Sequence, residues 1–244
     1  MVFTGNSVDF PDYFTATTSN GCFGTFYPTP PTPTSYVLDF ESAAHGTSTV
    51  WGGDTGGIVI EDDGSGTNNV LKQNWGVVRL TDPAAEPFWK TTDSGLSYDN
   101  YTVEVDVSLE NHANTESGGS TPYLMARRYY SNHFYLLGIR NSWNNDGCPS
   151  VGNGAEVRFS VYNGSWNCDY GAQFDSPHPY FQVGHVYHLT MTCIDNTIEC
   201  WVEEGATVID HFTITDSLFP AGPPGLRIYG AAAYYDNFTV TPIP

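Results

Sequence analysis

Between residues 101 and 110 the chain alternates strictly. Val103, Val105, Val107 and Leu109 fall on one side of an extended backbone, and Glu104, Asp106, Ser108 and Glu110 fall on the other. The same period of two returns over residues 156–162, where Val157, Phe159 and Val161 share a side, over 186–202, and in the closing segment 232–240. Residues 124–129 and 134–140 read as a hairpin closed near Ser131-Asn132, residues 57–61 as a strand followed by the loop Asp62-Asp63-Gly64-Ser65-Gly66, and residues 226–229 as a strand leading into the last one. Each apolar stretch stops at Gly, Asn or Pro, and no long helical period is present. The pattern predicts an all-β protein, an antiparallel β-sandwich.

Ahead of this region, residues 1–27 are polar and aromatic, and Pro28-Thr29-Pro30-Pro31-Thr32-Pro33-Thr34 reads as a stiff extended spacer. The expected organisation is an N-terminal arm over residues 1–35 and one sandwich domain over 36–244. A length of 244 residues suits one large sandwich, and 16 Tyr, 14 Phe and 6 Trp supply ample area for its core.

Charge narrows the partners. The chain has 27 acids against 8 bases, a net charge of −19. A protein that neutralises phosphates needs a basic footprint, so nucleic acid and anionic membrane surfaces are excluded. The surplus acids suit a bound cation, calcium above all. No apolar run approaches the length of a membrane-spanning helix. The opening Met1-Val2-Phe3-Thr4-Gly5 lacks the basic and apolar regions of a signal peptide and is expected to stand where a leader has been removed.

Five cysteines add a compartment. Cys193 and Cys200 flank a hairpin; with Asn196-Thr197 as its turn the two sulfurs face each other. Cys148 and Cys168 bracket another hairpin. Two such disulfides point to an oxidising compartment and leave Cys22 over.

Leu38-Asp39-Phe40-Glu41, the alternating strand 101–110, Ala126-Arg127-Arg128-Tyr129 with Phe134-Tyr135-Leu136-Leu137-Gly138-Ile139-Arg140, and Tyr235-Asp236-Asn237-Phe238 follow one another in an order that resembles concanavalin A-like jelly rolls, the laminin-G-like lectin and glucanase superfamily. The resemblance covers about residues 36–240. It implies a jelly-roll sandwich that handles carbohydrate, by binding, hydrolysis or elimination. It also implies a calcium ion tying the first strand to the last, with Glu41 and Asp236 at the matching positions and Asp39 nearby. The closing Thr241-Pro242-Ile243-Pro244 resembles the point where bacterial surface-sorting tails begin, which suggests an extracellular or cell-surface protein of bacterial origin.

Four sets of residues carry the candidate chemistry. Glu104, Asp106 and Glu110 invite comparison with a glucanase acid triplet, but Ser108 occupies the third alternate position, so a solvated strand face is expected. Six of the eight basic residues are Arg, most inside strands. Arg140, Arg158 and Arg227, with Tyr162 and Tyr229, would line an Arg/Tyr groove if their strands share a sheet, and forked guanidiniums suit the carboxylates or sulfates of an acidic polysaccharide. A uronate lyase would draw its base and its carboxylate-neutralising group from Arg127, His133, Tyr135 and Arg140. Trp143 and Trp166 are the indoles expected to stack on sugar rings, while Trp89 and Trp201 read as core or edge residues.

The sequence reading is therefore a secreted, calcium-stabilised jelly roll that binds polysaccharide. The alternatives are a polysaccharide-degrading enzyme on the same fold, a lyase before a hydrolase, or a subunit of an extracellular assembly that self-associates through residues 1–34.

Overall fold

The computed structural model describes residues 14–17, 23–26, 35–41, 50–53, 57–63, 65–74, 76–81, 99–109, 121–130, 133–142, 154–164, 174–178, 181–229 and 232–243. The chain forms two compact units, Met1–Thr32 and Pro33–Pro244. The first contains a hairpin of β1 (Phe14–Thr17) and β2 (Phe23–Phe26), with Phe14 opposite Phe26.

The second unit holds two antiparallel sheets. One has the order β15 (Thr207–Thr215), β14 (Thr197–Glu204), β13 (Tyr187–Ile194), β8 (Tyr101–Leu109), β17 (Ala233–Pro242), β6 (Asn69–Gln73), β5 (Ile58–Asp62); β3 (Tyr36–Leu38) also pairs with β17, and makes this an eight-stranded sheet. The other has seven strands: β12 (Phe174–His178), β11 (Gly154–Asn163), β10 (His133–Ser142), β9 (Thr121–Tyr130), β16 (Gly225–Tyr229), β7 (Gly76–Leu80) and β4 (Trp51–Gly53). No α-helix occurs among the described residues, and none there is long and apolar enough to cross a membrane.

Period-two patterning produces the layers. β8 turns Val103, Val105, Val107 and Leu109 inward, and they join one core with Leu124 and Ala126 of β9, Tyr135, Leu137 and Ile139 of β10, and Val157, Phe159 and Val161 of β11. Each such side chain contributes roughly 1.5–3 kcal/mol when fully removed from water. The start and end of the sandwich meet where Leu38 of β3 pairs with Phe238 of β17.

The outer faces differ. On the eight-stranded sheet Thr102, Glu104, Asp106 and Ser108 are half-buried. On the seven-stranded sheet the outward residues are buried too: Tyr123, Met125, Phe134 and Leu136 form a second apolar cluster of their own. That sheet is buried on both faces, which is why β9 and the first half of β10 read as continuous apolar runs rather than as alternation.

The cysteine hairpin departs from expectation. Its turn is Asp195-Asn196, one residue earlier, with Asp195 at φ 51° and Ile194 paired with Thr197. Cys193 therefore lies opposite Ile198 and Cys200 opposite Met191. The two are diagonal neighbours, a relation that puts Cβ atoms up to about 7–8 Å apart, beyond the ~3.5–4.5 Å a disulfide requires. Both are free, buried thiols, and burial pushes the Cys193 thiol up to about 11. Cys22, Cys148 and Cys168 lie outside the described residues.

Candidate functional site

The first polar group sits where β17 leaves ideal geometry. Asp236 lies opposite Asp106 across the β17–β8 ladder, and the register then shifts before Thr239 pairs with Glu104. Asn237 takes the extra position at φ 50°, a left-handed conformation that Asn tolerates well. Its exposed side chain donates from Nδ2 to Asp106 Oδ2 at 2.8 Å. From the β5–β6 connection, Asn68 Nδ2 donates to Asp63 Oδ2 at 3.1 Å and to Asp236 Oδ2 at 3.3 Å. These residues, with Ser108, Tyr234, Val183 and Val186, line a cavity of about 400 Å³.

Its electrostatics are uneven. Burial, with the nearby Asp106 and Glu41 carboxylates, raises the Asp236 carboxyl above its ordinary range. Burial also works to raise Asp106, but hydrogen bonds from His188 and Asn237 outweigh it and hold that carboxyl low. His188 is pushed up to about 10 by Asp106 and Glu104, whose oxygens lie 2.7 Å and 3.6 Å from its ring nitrogens.

The residues expected to hold calcium only partly converge. The Glu41 and Asp236 carboxylates influence each other, with Asn68 and Asn69 beside them. Glu41 Oε1 accepts the Asn69 N–H at 3.1 Å, whereas Asp39 Oδ1 accepts the Glu41 N–H at 3.3 Å and so closes a local turn. Among the described residues no three acids, histidines or cysteines form a group that could hold a metal ion. The oxygens have the hard character calcium prefers, and one oxygen of Asp39 is already engaged by the Glu41 N–H.

The second polar group lies on the outer face of the seven-stranded sheet. Ladder register sets Arg158 of β11, Gly138 of β10, Tyr123 of β9 and Arg227 of β16 in one row. A Cβ on Gly138 would stand 2.4 Å from Tyr123 Cδ1, so the glycine lets the tyrosine lie across β10. Arg140, one same-face step along β10, donates to Glu156 Oε1 at 3.1 Å, and Arg158 lies 3.8 Å from the same oxygen. The Arg227 guanidinium lies 4.8 Å from the Tyr162 ring centroid. The structure thus gathers Arg140, Arg158, Arg227 and Tyr162, four of the expected ligand-binding residues, on one face. The three arginines are buried, 3–8% exposed. Tyr229 ends β16 opposite Thr121, and Trp143 and Trp166 lie outside the described residues.

Of the lyase quartet, Arg127 lies near enough to Tyr135 for its charge to act on the phenol, and His133 and Tyr135 both pack against Phe219, with ring centroids 5.8 Å and 4.9 Å from it; only Arg140 stands apart. Arg127 is fully buried at φ 49°, its guanidinium donating to the carbonyls of Asp99 and Asp195. Tyr135 faces the core side, donates to Asp216 Oδ1 at 2.7 Å, and has its phenol pushed far above the ordinary range by burial and by that carboxylate. Arg140 is on the other face. Of the acid triplet, Glu104 and Asp106 flank His188 on the half-exposed outer face of β8, and Glu110 lies outside the described residues.

His188, Asn68 and Asn237 carry no distinguishing signal in the sequence, because their roles depend on register. Trp201, expected in the core or at an edge, is half-buried on the outer face and stacks on His211 with ring centroids 3.5 Å apart.

No protein-family model matches the chain, and no curated protein matches it in sequence. Solved structures do match in shape. A carbohydrate-binding module, CBM66 from Bacillus subtilis, superimposes with a TM-score of 0.50 at 17% identity, over 79% of this chain and 96% of that one. The VIP36 exoplasmic/lumenal domain in its Ca2+/Man-bound form gives 0.55 at 11% identity, over 86% and 89%. The chain has the concanavalin A-like jelly-roll fold. The CBM2 module of the evolved Dit of Lactobacillus casei BL23 phage J-1 shares that jelly roll, with a TM-score of 0.50 at 15% identity over 87% and 99%.

Proposed function

We propose that this protein binds carbohydrate, and that the cavity at Asp63, Asn68, Asp106, Tyr234, Asp236 and Asn237 holds the sugar. One observation carries the reading: carboxylates and amides from the β5–β6 connection, β8 and β17 line a single cavity of about 400 Å³, a size suited to a small ligand. Carboxylate oxygens accept from sugar hydroxyls, amides both donate and accept, and the Tyr234 ring offers an apolar face. The fold supports the reading, because two neighbours of this shape are named as carbohydrate-binding modules and a third is described bound to calcium and mannose.

Calcium is the cation this end of the sandwich would take, through Glu41 and Asp236, whose mutual repulsion a divalent ion would relieve. Export to an extracellular or surface location completes the proposal; it rests on the fold neighbours, since the one described cysteine pair is reduced. An enzymatic reading has less support, because Arg127 is engaged by the Asp99 and Asp195 carbonyls, Tyr135 by Asp216 and the Phe219 N–H, and Arg140 by Glu156. Titration calorimetry with neutral oligosaccharides, with and without calcium, tests the proposal: saturable binding lost in Asn237→Ala supports it, and absence of binding to any neutral or acidic glycan refutes it.

A further inference from the structure

The cavity does not use the most concentrated basic chemistry in the chain. Three of eight basic residues lie buried on the outer face of the seven-stranded sheet. Their arrangement frames one hydroxyl. Ser160 stands between Arg158 and Tyr162 on the outer side of β11, two positions from each, so each neighbour is about 7 Å away along the strand. Arg227 starts on β16, three strands away, yet its guanidinium carbon lies 5.8 Å from the Phe134 ring centroid of β10 and 4.8 Å from that of Tyr162 on β11. The guanidinium therefore lies against the ring of Tyr162, the same-face neighbour of Ser160 on the side away from Arg158. Ser160 is 0% exposed, and its Oγ has no hydrogen-bond partner.

A buried hydroxyl without a partner carries a cost of about 1–3 kcal/mol, and its place between Arg158 and the Tyr162 ring that Arg227 covers points to a ligand. We propose that Ser160, Arg158 and Arg227 form an anion subsite that binds the carboxylate or sulfate group of an acidic sugar. A guanidinium presents a planar fork that matches such groups in pairs of parallel hydrogen bonds, and the serine O–H donates the remaining bond. Tyr123, lying across Gly138 in the row between Arg158 and Arg227, closes one wall, and Glu156 accepts from Arg140 at 3.1 Å with Arg158 3.8 Å from the same oxygen. The subsite is on the opposite sheet from the cavity and selects a different chemistry, so neither depends on the other.

The test is calorimetry with digalacturonate, inorganic sulfate and neutral cellobiose as probes, on the full chain. Ser160→Ala is the informative variant, because removing an unpartnered hydroxyl leaves the fold as stable as before or more so. The expected result is that digalacturonate binds more tightly than sulfate, that cellobiose does not displace it, and that Ser160→Ala weakens it by about ten-fold or more, the loss expected for a hydrogen bond to a charged group. Arg227→Gln weakens it further, while Asn237→Ala leaves it unchanged. No digalacturonate binding, equal binding of sulfate and digalacturonate, or unchanged affinity in Ser160→Ala would each overturn the subsite. Loss of neutral-glycan binding alone would instead count against the cavity.

Discussion

His188 and Asp106 face each other across the β13–β8 ladder, with the imidazole Nδ1 2.7 Å from the carboxylate Oδ1. The pair is held on its far sides by Glu104 and Asn237, so one histidine links the open face of the eight-stranded sheet to the rim of the cavity.

That pair sets a pH window. His188 titrates near 10 in the folded chain against an ordinary value of 6.5, so its stabilisation is complete below pH 6.5 and lost as pH rises through 10. Asp106 is held below its ordinary 3.8, so its share is present above pH 3.8 and lost as pH falls below that value. The melting temperature of His188→Gln should fall furthest below wild type between about pH 4 and 6.5, and the two curves should converge near pH 10. A constant offset across that range would contradict the ion pair.

Asp236 behaves oppositely. Its folded carboxyl is raised by burial, Asp106 and Glu41, so its charge works against folding at neutral pH in the absence of a cation. Asp236→Asn should raise the melting temperature at pH 7 in chelator and reduce the gain in melting temperature that calcium gives the wild type. Differential scanning fluorimetry with chelator and with calcium reads both. A variant that melts lower in chelator would show that Asp236 is already compensated.

Gly138→Ala should destabilise. The added Cβ meets Tyr123 Cδ1 at 2.4 Å and the Pro122 carbonyl oxygen at 2.6 Å, and neither the β9 backbone nor a buried ring can move freely. A cost of about 1–3 kcal/mol is expected for such overpacking, measured as a lower urea midpoint at constant slope.

Arg127→Ala should unfold or aggregate the protein rather than impair a reaction selectively. The side chain satisfies the Asp99 and Asp195 carbonyls in a buried setting, and its loss leaves both unpaired at a cost of about 3 kcal/mol or more. Circular dichroism melts check this; a variant that melts like wild type would free Arg127 for another role.

Much of the fold was legible, and the reasons are particular. β8 alternates without a break because one face is core and the other half-exposed. The parity that puts Arg158 with Glu156 and Tyr162, away from Val157, Phe159 and Val161, could be read from β11 alone. The convergence of Arg227 on Tyr162 could not, since strand order decides which elements become neighbours. The cysteine pairing failed on a single residue of turn placement, because moving a two-residue turn by one position converts opposite residues into diagonal ones. The cavity was invisible for a related reason: Asn68 and Asp236 are 168 positions apart and meet only because β6 lies beside β17.

The central claim is that the cavity binds sugar, and calorimetry of wild type and Asn237→Ala against neutral oligosaccharides in calcium tests it most directly. The predicted result is saturable binding to wild type and at least about a ten-fold loss in the variant, as the Asp106 carboxylate swings free of its amide partner. Equal affinities in the two proteins, with both folded, would contradict it.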